Sequence, residues 1–307
     1  MVRMVIPQAF LVAIAGRTAD AAGYPNGDDW LTLLPSLVKE HLERWELTLD
    51  GQPWHGENAL VFPVLRETQA AVLKVTWPHP EARHEHLALK LWDGRGAVRL
   101  IAANPSASTL LLERLDGNRQ LTQLPILQAC EVIGELFQQL DRPSTPQLDA
   151  VADKAIRWRE QLSEASVLVP RRLTHQARDE LKALLASAPS ARLVHEDLHD
   201  MNVLAPIAHH RGDWLAIDPK PVAGEWAYAV APIVWNRAEV TSAAFSVRNH
   251  VRMRAEVVAE VAGLDPDRVR RWTFVRLVLN AVWAAAHAPG SDEFRTRMIL
   301  LAKAFSD

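Results

Sequence analysis

The chain has one cysteine, Cys130, in 307 residues, so neither a disulfide framework nor a zinc site built on cysteines is open to it. Cys130 falls in an apolar helical pattern with Ile126, Leu127, Ile133 and Gly134 and is expected in the core. An excess of charge of either sign is also missing. The 34 lysines and arginines against 37 aspartates and glutamates leave a formal net charge of -3, which gives no basis for a nucleic-acid or membrane partner. No apolar run approaches the ~20 residues of a membrane span. The opening "MVRMVIPQAFLVAIAG" imitates a secretion signal, but Pro7 and Gln8 interrupt it and "WLTLLPSLVKEHLERWEL" follows with helical spacing. The expectation is a soluble, cytoplasmic protein. What is present is an ordinary globular composition, 49% hydrophobic and 23% charged, in a chain long enough for a sizeable core and two lobes.

The pattern changes along the chain. From Arg44 to Leu115 the stretches "RWELTLDGQ", "ALVFPVL", "AAVLKVTW" and "VRLIAANPSASTLLLERL" read as strands of a mostly antiparallel sheet. Between the third and fourth, "PEARHEHLALKLWDG" reads as an amphipathic helix on Leu87, Leu91 and Trp92, ended by Asp93 and Gly94. From Leu121 the periods are helical, interrupted by "ARLVHEDLHDMNVLAP" and a short strand "DWLAID". There are no internal repeats or low-complexity tracts.

The stretch "LVHEDLHDMNVL" spells two motifs. His195, Glu196 and His199 give H-E-x-x-H, in which two histidines on one helical face bind zinc and the glutamate serves as base. His195, Asp197, Leu198 and Asn202 give H-x-D-L-x-x-x-N, a kinase catalytic loop. The zinc reading needs a regular helix and a third ligand, yet "ARLV" leads in as a strand, "VLAP" stops any helix, and no further histidine follows at the required spacing. The kinase reading finds its parts in order. Asp197 is expected to be the base that accepts a hydroxyl proton, and Asn202 and Asp218, the latter in "AIDP", offer hard oxygens to a magnesium ion. Lys74 is the one cation inside the apolar strand "AAVLKV", where a lysine is costly unless paired. Its expected partner is Glu85, with Glu81 one turn earlier as the competitor.

With these residues placed, the chain resembles the aminoglycoside and hydroxyurea antibiotic-resistance kinases, and within them the streptomycin 6-phosphotransferases. The strings "GENALVFPV", "LWDGRGAVRL", "LLLERLDG", "VHEDLHDMNVL" and "WLAIDPKPVAGE" carry the likeness over most of the chain. The resemblance implies an α+β, two-lobed protein-kinase-like fold: an N-terminal antiparallel-sheet lobe with one key helix, residues 1–112, and a mainly helical lobe, residues 113–307. It implies ATP as donor, Mg²⁺ as metal and a small-molecule hydroxylated acceptor, streptomycin first. Hydroxyurea or another metabolite, or a non-catalytic nucleotide-binding role, are the alternatives. It further implies that "GQPWHGEN" turns over the nucleotide with Gly56 allowing close approach, and that the backbone from Glu113 to Leu115 is a hinge pairing with adenine. One departure stands out: where the family usually has an aspartate that braces the catalytic loop, this chain has Ala229.

A polycationic acceptor calls for carboxylates. Asp200, Glu225 and Glu239 are the candidates, with Asp292 and Glu293 reading rather as the first turn of a helix. Glu196, beside the base, is expected to repel ATP slightly, attract a cationic sugar or face solvent. Trp226, Trp235 and Trp283 are candidates to stack on a sugar or, at helical spacing, to be core.

Overall fold

A computed structural model describes residues 5–287 and 291–306. The chain divides into two compact units, Met1–Asn118 with Ala205–Lys220, and Arg119–Leu204 with Pro221–Asp307.

The first unit is built on an antiparallel sheet. Its strands are β1 (Leu47–Leu49), β2 (Trp54–His55), β3 (Ala59–Arg66), β4 (Gln69–Thr76), β5 (Leu100–Asn104) and β6 (Thr109–Glu113), in the order β1-β3-β4-β6-β5 with β2 also on β3. The fourth strand-like stretch of the sequence is thus two strands, because a 3-10 turn at Pro105–Ala107 and a left-handed Ser108 fold it back on itself. Alternation sorts the faces. Leu60, Phe62 and Val64 of β3 and Ala71, Leu73 and Val75 of β4 join Phe10 and Ile14 of helix α1 (Gln8–Ile14) and Trp30, Leu34 and Val38 of α2 (Gly27–Arg44) in one core. The segment that imitates a secretion signal therefore supplies part of this core, its first four residues lying outside the described ones. Lys74, one residue out of phase with Leu73 and Val75, belongs to the other face.

Helix α3 (Glu85–Trp92) lies where it was expected and ends at a left-handed Asp93 followed by Gly94. Its buried face, however, is Glu85, Ala88, Leu89 and Trp92, whereas Leu87 and Leu91 are half-buried. A carboxylate at its first position defines the inward face, which an apolar count alone cannot find. The returning segment Ala205–Lys220 adds residues that a single cut after residue 112 leaves out. It is tied to the segment between α3 and β5 through main-chain bonds, Val98 N–H to the Ala216 carbonyl and Ala216 N–H to that of Gly96, both 2.9 Å.

The second unit is mainly helical. Its long helices are Ile126–Leu140, Val151–Ser163, Arg171–Ala186, Val247–Ala262, Pro266–His287 and Asp292–Phe305. Cys130 is buried as expected, and burial pushes its thiol up to about 12. Gly134 is required: a Cβ there would lie 2.7 Å from that of Val261, so the helices Ile126–Leu140 and Val247–Ala262 approach closely only with glycine. The strand Arg192–His195 pairs antiparallel with Pro221–Gly224 on one side and Arg142–Pro143 on the other. It delivers the chain directly into the motif stretch. Among the described residues no helix is long and apolar enough to cross a membrane.

Candidate active site

The first unit holds a buried triad. Lys74 Nζ donates to Glu85 Oε1 at 2.6 Å and to Asp218 Oδ1 at 2.5 Å. The side chains of Lys74 and Glu85 are 6% and 4% exposed, while that of Asp218 is 54% exposed. Glu85 is thus the partner and Glu81 is not; Glu81 pairs instead with Lys220 at 3.2 Å. Burial opposes the charge on Lys74, but the carboxylates of Asp218 and Glu85 outweigh it and raise its pKa. Burial pushes the Glu85 carboxyl up to about 7, resisted by Lys74 and helped by the charge of Asp218. Asp218 itself takes a left-handed backbone, φ 54°, a conformation that aspartate tolerates better than most residues.

Gly56 lies in the turn between β2 and β3, where its N–H donates to the Ala59 carbonyl at 2.9 Å, and a Cβ at this position would meet nothing within 4 Å. The turn is open on that side. At the expected hinge, Glu113 is more committed than the sequence suggests. Its N–H donates to the Arg99 carbonyl at 3.0 Å, and its carboxylate accepts from the Arg99 N–H and from Arg211, each at 2.7 Å. Leu115, buried, opens the next strand.

In the second unit the motif stretch is not a helix. His195 ends a strand and His199 caps a single 3-10 turn, Asp200–Asn202, so the two histidines share no helical face. Among the described residues no three His, Cys, Asp or Glu side chains group as a metal site. The zinc reading fails on this geometry. The kinase-type spacing instead closes a small loop in which Asn202 Nδ2 donates to the Asp197 carbonyl at 2.9 Å. That bond fixes the amide so that its oxygen is the atom left to act as a hard ligand. The Asp197 side chain is 23% exposed, with His199 Nε2 3.9 Å from its Oδ1.

Glu196 does none of the three things expected of it. It is buried, accepting from Lys154 Nζ and from the Tyr228 hydroxyl, each at 2.6 Å. Burial alone would raise its pKa, but Lys154, Arg276 and the Tyr228 hydroxyl together hold it below the usual carboxylate value. The three acceptor-site carboxylates are likewise engaged. Glu225 accepts from Arg268 at 2.5 and 2.7 Å and from the Trp272 indole at 2.7 Å. Arg237, itself left-handed, bridges Asp200 and Glu239 at 2.9 Å each. Asp292 and Glu293 do form the first turn of the last helix, and Asp292 pairs with Arg295 at 2.7 Å. Of the tryptophans, Trp226 is core against Phe137, Trp235 lies under Arg276, and Trp283 is 53% exposed.

The sequence pattern of the aminoglycoside/hydroxyurea antibiotic resistance kinases matches residues 44–288. The chain belongs to this family. A streptomycin 6-kinase of Streptomyces glaucescens is 38% identical over 84% of the chain and 85% of its own length. A hydroxyurea phosphotransferase of Kitasatospora aureofaciens is 37% identical over 90% of the chain and 79% of its own length. A thermostable mutant of aminoglycoside phosphotransferase APH(4)-Ia, solved in ternary complex with ADP and hygromycin B, has the same fold. It superposes with a TM-score of 0.58 at 17% identity, covering 88% of this chain and 98% of the other. As a member of this antibiotic-resistance kinase family with a protein-kinase-like fold, the chain is a small-molecule phosphotransferase acting on hydroxyl groups.

Sequence reasoning missed Arg276, Lys154, Tyr228 and Arg237. Arg276 had a signal of the same kind as Lys74: it is a lone cation in the apolar run "WTFVRLVL". Lys154 and Tyr228 had none, since each meets Glu196 only through the fold, and Arg237 had only the nearby Glu239 to mark it, its bond to Asp200 spanning 37 residues.

Proposed function

We propose that the protein transfers the γ-phosphoryl group of ATP, with Mg²⁺, to a hydroxyl of a small acceptor, streptomycin being the leading one. The observation that carries this reading is the triad: a buried lysine held by a buried helix carboxylate and by an aspartate that keeps half its surface open. Lys74 anchors the α- and β-phosphates, and Glu85 keeps it extended. Asp197 accepts the acceptor's hydroxyl proton as the new P–O bond forms and the bond from the γ-phosphorus to the β–γ bridging oxygen breaks. Asn202 through its amide oxygen and Asp218 through its carboxylate suit magnesium, which prefers a few hard oxygens. Magnesium, when bound, neutralises charge on the phosphates. The turn at Gly56 covers the nucleotide. Because the Glu113 N–H is committed, the adenine contact falls to the main chain beyond it, towards Leu115.

One observation supports a second acceptor class. Asp200, Glu225 and Glu239 each already hold an arginine, so a polycationic sugar would have to compete with Arg237 or Arg268. A weakly charged acceptor such as hydroxyurea meets no such competition, and one of the relatives is a hydroxyurea phosphotransferase. The deciding experiment is mass spectrometry of streptomycin, other aminoglycosides and hydroxyurea after incubation with Mg-ATP and wild-type or Asp197→Ala protein. One acceptor should gain a phosphate, and Asp197→Ala should slow that transfer by about 10²–10⁴-fold while Mg-ATP still binds. Loss of nucleotide binding in a folded Asp197→Ala protein would contradict the assignment of the base.

A further inference from the structure

The peptide unit that leads into Asp197 is held at both of its polar atoms, and one of the two holders lies 80 residues away in sequence. Arg276, in the middle of the helix Pro266–His287, donates from Nη1 to the Glu196 carbonyl at 2.9 Å and to the Tyr228 carbonyl at 3.1 Å. Its guanidinium lies over the Tyr228 ring at 4.3 Å and the Trp235 ring at 4.9 Å. On the other side of the same peptide plane, the Asp197 N–H donates to His195 Nδ1 at 3.2 Å. A peptide unit is planar, so fixing its oxygen and its N–H fixes the direction in which the Asp197 Cα emerges. The Asp197 carbonyl is then held by Asn202.

We propose that Arg276 is a positioning residue for this reaction, clamping the Glu196–Asp197 peptide so that the Asp197 carboxylate is presented in one orientation. The inference rests on the reading of Asp197 as the base. The arrangement is a closed ring. Tyr228 offers Arg276 its carbonyl and its ring face, and its hydroxyl holds the Glu196 carboxylate, whose remaining partner is Lys154. Arginine suits the position because a flat cation can stack between aromatic faces and still donate in its own plane. With Ala229 offering no polar side chain, the clamp arrives from the C-terminal helices instead.

The test uses full-length wild-type, Arg276→Gln and Arg276→Lys proteins, with two readouts. The first is hydrogen exchange of peptides covering residues 195–202, which needs no acceptor. Arg276→Gln should speed exchange there by about tenfold while peptides of the helices Ile126–Leu140 and Arg171–Ala186 keep wild-type rates, and Arg276→Lys should fall between. The second is the split of kinetic constants on whichever acceptor is phosphorylated. Here Arg276→Gln should lower kcat by roughly 10- to 100-fold with the KM for ATP within about twofold. Unchanged exchange at 195–202, or a rise spread evenly over the whole unit, would overturn the clamp, as would an unchanged kcat. If wild type phosphorylates nothing, the proposed function fails and the exchange readout alone decides the clamp.

Discussion

Two lysine–glutamate pairs, one in each unit and each with its glutamate buried, share the same contact distance and have opposite electrostatics. Lys74–Glu85 and Lys154–Glu196 each close at 2.6 Å. Yet burial pushes Glu85 up to about 7, whereas Glu196, equally buried, is held below the ordinary carboxylate value. The difference lies in who else is present. Glu85 shares its lysine with a second carboxylate, Asp218, whereas Glu196 adds the Tyr228 hydroxyl and the nearby Arg276 to its own lysine. A donor-poor cluster with a surplus of acid suits a site that receives a further cation or moves a carboxylate. A donor-rich one is closed and suits a fixed scaffold.

The widest gap should appear on removing the two lysines. Lys74→Met leaves Glu85 buried beside Asp218 and should cost about 3 kcal/mol of stability, measured by denaturant unfolding, together with most of the affinity for Mg-ATP. A cost below that of Lys154→Met would break the comparison.

Next comes the dependence on pH. A carboxyl raised in the folded state contributes stability that is full below its unfolded value of 4.5 and is lost as the pH climbs towards about 7, so wild type should lose ground to Glu85→Gln over that window. For Glu196 the sign reverses: its contribution is full above 4.5 and is lost as the pH falls below it, so wild type should lose ground to Glu196→Gln on acidification. Melting temperatures of the three proteins across a pH series check both slopes, and slopes of the same sign would refute the contrast.

Smaller effects sharpen it. Lys154→Met should cost roughly 1–2 kcal/mol, since Glu196 keeps the Tyr228 hydroxyl and the Lys154 side chain is already 27% exposed. Tyr228→Phe, which removes one hydrogen bond and keeps the ring beneath Arg276, should cost about 1 kcal/mol in the same unfolding assay. A larger loss than for Lys154→Met would move the centre of the cluster from the lysine to the hydroxyl.

The legible parts of the fold were those set by local periodicity. Alternation in β3 and β4, the helical periods after Leu121 and the lone lysine in "AAVLKV" placed the sheet, the helices and Lys74 from residues alone. The motif spacing from Asp197 to Asn202 is short enough to be one loop, and the structure closes that loop with the side-chain bond from Asn202 to the Asp197 carbonyl. Less was legible wherever a partner is far along the chain. Glu196 looked like a free charge because Lys154 and Tyr228 lie 42 and 32 residues away. Glu225 and Asp200 looked available for an acceptor because Arg268 and Arg237, which fold onto them, lie 43 and 37 residues away, whereas Glu239 has Arg237 only two residues before it.

By itself, the sequence determined which stretches are strand or helix, which lysine is buried, and the spacing of the residues expected to bind metal and accept a proton. Those follow from side-chain period and from the cost of an unpaired charge. Only the tertiary structure decided that Asp218 joins Lys74, that the acceptor-site carboxylates are already paired, and that Arg276 reaches the peptide before Asp197. Such pairings depend on which surfaces the packed helices and strands bring within hydrogen-bonding distance, and a linear chain carries no local mark of them.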